Sequence, residues 1–259
     1  MAKLRVTRSI IPNLFTLMNL FGGFIAITRI AQDDFYGAMW FMILASIFDA
    51  LDGAVARLTN STSELGVELD SLCDAVSFGL APAFLLYKAH FFGMGSLGLI
   101  LAALPALAGT YRLARFNVLV SGFQDKRYFV GMPIPSGAIT IFSYVIFFHA
   151  ADFYPAEWRT PSIIIVSIGT AMLMVSKIKF DNLPRLSHRA LRERPAVVIG
   201  FVLGFVAVIV SQGQWLFPLM LVYISFGLLR ALVQRLRRTD VDDDLDDMEE
   251  GSGPGPFDM

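Results

Sequence analysis

Apolar residues in this chain gather into long blocks separated by short polar or basic stretches. The blocks are Leu14–Ala31, Phe35–Leu58, Gly66–Phe92, Leu97–Asn117, Ile134–Ala150, Ser162–Val175, Ala196–Ser211 and Trp215–Leu232. A helix that crosses the hydrocarbon layer needs about 20 predominantly apolar residues. The pattern therefore predicts an all-α integral membrane protein, a helical bundle of six to eight transmembrane helices. The lower bound reflects the shortness of Ser162–Val175 and Ala196–Ser211.

Four polar positions interrupt the second and third blocks: Asp49, Asp52, Asp70 and Asp74. One carboxylate near the middle of a membrane helix costs about 2.5–3.5 kcal/mol, so four without partners cost roughly ten or more. Their spacing suggests how they are compensated. Asp49 and Asp52 stand at i, i+3, with Gly53 and Ala56 continuing that face. Gly66, Asp70 and Asp74 stand at i, i+4, i+8 on the next helix. Residues so spaced share one helix face, and the short linker Thr59–Glu64 allows the two faces to meet.

Four carboxylates in one pocket repel unless cations enter. Hard oxygen ligands with no His or Cys among them favour Mg²⁺, Mn²⁺ or Ca²⁺ over zinc. Two divalent cations would roughly neutralise the cluster, and paired metals recur in phosphoryl displacement. The small residues Gly53, Ala56 and Gly66 leave room for a phosphate or a neighbouring helix. Arg57 adds a cation suited to phosphate at the rim. On these residues alone three readings stay open: metal-assisted phosphate chemistry, a cation- or proton-coupled transporter, and a structural role.

Composition agrees with the membrane class, at 55% hydrophobic and 17% charged residues with a mean hydropathy of +0.61. The net charge of −1 conceals an asymmetry, because Thr239–Met259 holds nine acids and no base. We therefore divide the chain into a membrane domain, 1–238, and an acidic Gly/Pro-containing tail, 239–259, expected to be disordered. The basic start "MAKLRVTRSIIPN" precedes an apolar run without a small-residue cleavage site and reads as a first anchor. If the blocks alternate across the membrane, 18 of the 21 Lys and Arg residues fall on one side, leaving Arg29, Lys88 and Arg159 on the other. By the positive-inside bias both termini are then cytoplasmic, with the aspartates at the inner boundary of the hydrocarbon layer.

Further candidates are weaker. Arg112, Arg115 and Asn117 end the fourth block level with the aspartates, while Lys177 and Lys179 read as membrane-surface anchors. His90, His149 and His188 are isolated in the sequence and are expected to carry no chemistry. Cys73, the single cysteine, falls off the aspartate face and reads as packing.

The pattern Asp49-x2-Asp52-Gly53-x2-Ala56-Arg57-x8-Gly66-x3-Asp70-x3-Asp74 resembles, without departure, the signature of the CDP-alcohol phosphatidyltransferase family. The fragments "LDSLCDAVSFGLAPA", "YRLARFN" and "GMPIPSGA" resemble its phosphatidylserine-forming branch, and the likeness runs from about Ile11 to Lys179. That resemblance implies transfer of the phosphatidyl group of CDP-diacylglycerol to the hydroxyl of L-serine, with release of CMP. It implies two divalent cations, Mg²⁺ or Mn²⁺, on Asp49, Asp52 and Asp70, with Asp74 both touching metal and acting as general base. Gly53 and Arg57 match positions that contact the CDP-linked substrate. Asn13 and Thr16 of "PNLFT" match a nucleotide-side element, and Ser63 is a lesser substrate contact. For the serine carboxylate, the position of Arg112 and Arg115 level with the aspartates makes them the candidate cations, Arg112 first, with anchoring at the membrane surface as the alternative.

The resemblance also implies a homodimer among membrane lipids, in a bacterial inner membrane with the site facing the cytoplasm, and no nucleic-acid partner. Rival acceptors on the same fold are glycerol 3-phosphate and inositol phosphate, whose own phosphates call for a tighter basic cluster.

Overall fold

The computed structural model describes residues 10–59, 61, 63–120, 128–149, 155–181, 204 and 207–250. Helices α1 (Ile10–Ala31) and α2 (Phe35–Leu58) form an antiparallel hairpin. They are followed by α3 (Glu64–Ala89), α4 (Gly95–Val120), α5 (Ile134–His149), α6 (Arg159–Val175) and α7 (Leu216–Glu250). Six stretches are long and apolar enough to cross a membrane: α1, α2, α3, Phe91–Val118, Ala156–Val175 and Leu216–Leu236. α5 is apolar but shorter. The expected block Ala196–Ser211 lies largely outside the described residues.

The helical class holds, with one addition. Two three-residue strands, β1 (Tyr128–Val130) and β2 (Lys179–Asp181), pair antiparallel with Tyr128 opposite Asp181 and Val130 opposite Lys179. The segments entering α5 and leaving α6 meet there, and Gly131 N donates to the Ile178 carbonyl at 2.8 Å. Pairing gives these backbone groups the partners that a bare connection would lack.

Side chains sort by what they face. Met39, Met42, Phe78, Leu85, Leu86, Phe142 and Met174 are buried between helices. Phe21, Phe24, Trp40, Leu107 and Met172 are each more than half exposed on the outside. A water-soluble protein would not display so much apolar surface. On a bundle whose helices reach membrane length it is the lipid-facing surface.

α3 is not a uniform α-helix. Directly after Asp74 it widens into a π-helical turn, Ala75–Leu80, before resuming as α at Ala81. Pro82 stands just beyond. A proline ring crowds the carbonyl four residues before it and cannot donate to it, and a widened turn relieves that conflict.

At the end of the bundle remote from the aspartates, Asp34 caps α2 by accepting from Gly37 N at 2.8 Å. Arg29 pairs with Asp34 at 3.2 Å and Lys88 with Asp33 at 3.3 Å. His90 follows α3 at this end, and its Nε2 lies 3.0 Å from Thr160 Oγ1, beside Arg159 at the start of α6. The three bases left over by the sequence count thus share one end. His90 and His149, isolated in sequence, are neighbours here, their rings edge to face at 4.9 Å. Sequence distance hid this because α3 and α5 end at the same level. His188 lies outside the described residues.

α7 runs on to Glu250. No Gly or Pro interrupts the chain between Pro218 and Gly251 except Gly227. Residues 251–259 lie outside the description.

Candidate active site

The C-terminal end of α2 and the N-terminal end of α3 bring the aspartates together. Thr59 closes α2, and Ser63, in extended conformation, caps α3 by accepting from Gly66 N at 3.0 Å. Gly66 is small for a packing reason: a Cβ there would lie 3.1 Å from Ser63 Oγ and 3.3 Å from Asn13 Oδ1. Gly53 similarly lies under the Arg57 guanidinium, 3.3 Å from where its own Cβ would be. Between α1, α2 and α3 this leaves a cavity of about 160 Å³. It is lined by Asn13, Thr16, Asp52, Gly53, Arg57, Ser63 and Asp70, with Pro12, Ala56, Ser61, Gly66 and Val67.

Deeper in, one carboxylate oxygen each from Asp49, Asp70 and Asp74 lie within 4.8 Å of one another. Asp52 is outside that trio but within electrostatic reach of both Asp49 and Asp70. Asp70 belongs to both places, since it lines the cavity and joins the trio. Its Oδ1 is buried without a hydrogen-bond partner among the described residues. Converging carboxylates with an unsatisfied buried oxygen fit a hard divalent cation, whose ligands are oxygens. The donor set therefore suits Mg²⁺ or Mn²⁺.

α1 supplies hydrogen-bond donors to two of the four. Thr16 Oγ1 donates to Asp52 Oδ2 at 2.7 Å, with the Pro12 carbonyl also at 3.1 Å. One turn on, Asn19 Nδ2 donates to Asp74 Oδ1 at 3.0 Å. Thr16 was expected at the nucleotide; its hydroxyl faces both the cavity and Asp52. Asn19 was not anticipated. Its signal was present in "NLFTLMN", where Asn13, Thr16 and Asn19 recur at helical spacing inside an apolar run.

The cations divide. Arg57 lines the cavity and is exposed at its rim. Arg112 is only 5% exposed, within electrostatic reach of Asp74 and with its guanidinium 6.0 Å from the Phe116 ring centroid. Arg115 turns elsewhere, donating to the Val175 carbonyl at 3.1 Å and the Ser176 carbonyl at 3.5 Å. It closes the C-terminus of α6, where orphan carbonyls and the helix dipole favour a cation. Asn117 Nδ2 donates to Ser71 Oγ at 3.0 Å, tying α4 to the helix that carries Asp70 and Asp74. Neither Arg112 nor Arg115 lines the cavity. Cys73 is buried, and Lys177 is exposed.

Comparison with known proteins identifies relatives of this chain. The chain is 34% identical over 224 residues to a CDP-diacylglycerol–serine O-phosphatidyltransferase of Helicobacter pylori, covering 85% of this chain and 90% of that protein. It is 32% identical over 220 residues to a protein of the same description from Methanocaldococcus jannaschii, covering 85% and 93%. An archaetidylserine synthase of Methanothermobacter thermautotrophicus is 35% identical over 174 residues, covering 66% and 70%. Residues 9–177 match the model of the CDP-alcohol phosphatidyltransferase family, spanning all four aspartates and both α1 donors, and the chain belongs to that family.

Proposed function

We propose that this protein is a membrane transferase that moves the phosphatidyl group of CDP-diacylglycerol onto the hydroxyl of L-serine, giving phosphatidylserine and CMP. The observation that carries the reading is the convergence of Asp49, Asp70 and Asp74 beside a cavity bounded by Asp52 and Arg57. The printed descriptions of the serine O-phosphatidyltransferases above support serine as acceptor. Membership of the family supports the CDP-linked donor.

Each group has a task in this reading. Asp49, Asp52, Asp70 and Asp74 hold two divalent cations, Mg²⁺ or Mn²⁺. When bound, these supply Lewis-acid stabilisation of the pyrophosphate and of the departing CMP. Asn13, Thr16, Gly53 and Ser63 shape the cavity for the nucleotide side of the donor, and Arg57 offers a fixed charge to its phosphates. Asp74 takes the proton from the serine hydroxyl as that oxygen bonds to the phosphorus carrying diacylglycerol. The bond from this phosphorus to the CMP oxygen breaks in the same displacement, so no covalent enzyme intermediate is needed. Arg112, buried beside Asp74, provides the counter-charge for the serine carboxylate. Arg115 contributes by fixing the end of α6.

The protein lies in the cytoplasmic membrane with both termini and the aspartates on the cytoplasmic side, as the Lys and Arg bias favours. There it works as a homodimer among membrane lipids. The deciding experiment is CMP release by purified protein in detergent with Mn²⁺ or Mg²⁺, CDP-diacylglycerol, and serine, glycerol 3-phosphate or inositol phosphate in turn. CMP with serine alone is expected. CMP with a phosphorylated acceptor instead would transfer the reading to that acceptor, and none with any acceptor would favour an ion-coupled transporter.

A further inference from the structure

The four carboxylates are not equivalent in their surroundings. Among the described residues, protein side chains donate to Asp52 and Asp74, from Thr16 and Asn19 respectively, and to neither Asp49 nor Asp70. α1 therefore works as a strip of donors, spaced i and i+3, that pins two carboxylates and leaves two unpinned.

The Asn19 contact is the more constrained of the two. Asn19 is fully buried, and it grips the turn that carries Asp74 twice. Its side-chain Nδ2 holds Asp74 Oδ1 at 3.0 Å, while its backbone carbonyl accepts from Ser77 Oγ at 3.0 Å. One turn further along α1, Gly23 lets the two backbones close up: a Cβ there would lie 2.7 Å from the Ser77 Cα. The π-helical turn after Asp74 begins inside this grip. The remaining amide oxygen, Asn19 Oδ1, is buried and makes no hydrogen bond among the described residues. A buried unsatisfied acceptor is destabilising, so an apolar side chain would serve packing better. The amide is explained by its N–H.

Resting on the reading of Asp74 as general base, we propose that Asn19 is a positioning residue for the transfer reaction. By occupying Asp74 Oδ1 it fixes the carboxylate plane and leaves Oδ2 as the oxygen that faces the acceptor hydroxyl. It acts on the acceptor through Asp74 and touches neither substrate.

The test is steady-state CMP release by the full chain in detergent, with Mn²⁺ saturating, for wild type, Asn19→Ala, Asp74→Asn and the double variant. Hydrogen-bonding partners of this kind are worth about 10–100-fold in activity. Asn19→Ala should lower kcat by about that factor, with KM for CDP-diacylglycerol and for serine each within about threefold of wild type. Added to Asp74→Asn, it should cost less than about twofold more, because a residue acting through Asp74 has nothing left to act on. A kcat near that of wild type, a matching rise in both KM values, or multiplicative losses in the double variant would overturn the proposal. If Asn19→Ala does not survive purification, Asn19→Ser, which keeps a shorter donor, should give a reduced kcat at unchanged KM; a wild-type kcat there overturns it equally. Wild type that releases no CMP with serine overturns the acceptor reading and this inference with it. An active wild type with an indifferent Asn19→Ala overturns this inference alone.

Discussion

Thr16 and Asp52, 36 residues apart in sequence, are joined by a hydrogen bond of 2.7 Å that ties the first helix to the second at the wall of the cavity. The Thr16 hydroxyl orients a carboxylate assigned to metal binding, and outer partners of metal ligands typically change metal affinity by about 10–100-fold. Thr16→Val, which keeps the shape and removes the donor, should raise the Mn²⁺ concentration for half-maximal CMP release by about tenfold. Thr16→Ser should stay near wild type. A metal titration of both variants checks this.

Asp70 sits among like charges, with one buried oxygen that has no hydrogen-bond partner among the described residues. In chelator its charge repels its neighbours, so Asp70→Asn should melt higher than wild type in EDTA. In Mn²⁺ the order should invert. Wild type gains about 2.7 kcal/mol when free metal is a hundredfold above Kd, and the variant loses most of that gain together with its activity. Thermal unfolding in detergent with and without metal would show the crossover, and parallel curves would speak against a metal on Asp70.

Arg112 and Arg115, three residues apart, should fail in different ways. Arg112→Gln removes a buried charge beside Asp74 and should raise KM for serine at least about tenfold, a loss of at least about 1.4 kcal/mol. KM for CDP-diacylglycerol should change little. Arg115→Gln loses hydrogen bonds to the end of α6 and should lower stability by about 1 kcal/mol, with serine kinetics near wild type. Kinetics and melting of the two variants separate the roles.

Ser63 caps α3 just ahead of Gly66 and Asp70. Ser63→Ala should cost about 1 kcal/mol of stability and Ser63→Asp much less, because aspartate also caps. If Ser63 instead acts mainly on substrate, both variants should lose activity without a matching change in melting temperature.

The aspartate site was legible in the sequence because its information is local. Spacings of three and four along α2 and α3 dictate which side chains share a face, and a short linker dictates that the faces meet. What the sequence hid lies between distant segments. Asn19 reads as one polar residue in an apolar run until α1 is laid against α3. Arg115 reads as a free cation until the end of α6 arrives beneath it. The His90–His149 contact joins the ends of two helices, and the β1–β2 pair is too short for any alternation to register. The bundle followed from apolar block lengths alone, since a membrane fixes the length of what crosses it.

The widened turn at Ala75–Leu80 has a consequence for how this helix tolerates change. Each residue in an α-helix advances about 100° around the axis, so one residue accommodated in a wide turn re-phases everything beyond it. Asp70 and Asp74 lie before the turn, and the buried Leu85 and Leu86 lie after it. Returning this stretch to regular α winding with every residue kept would rotate one group away from its partners by about a quarter turn, whereas deleting one residue such as Val76 together with the wide turn would leave the two groups in phase. With all its residues in place, a single regular winding cannot aim both the carboxylates and the packing surface. A change that closes the wide turn without shortening the helix should therefore be tolerated less well than the removal of one residue from it.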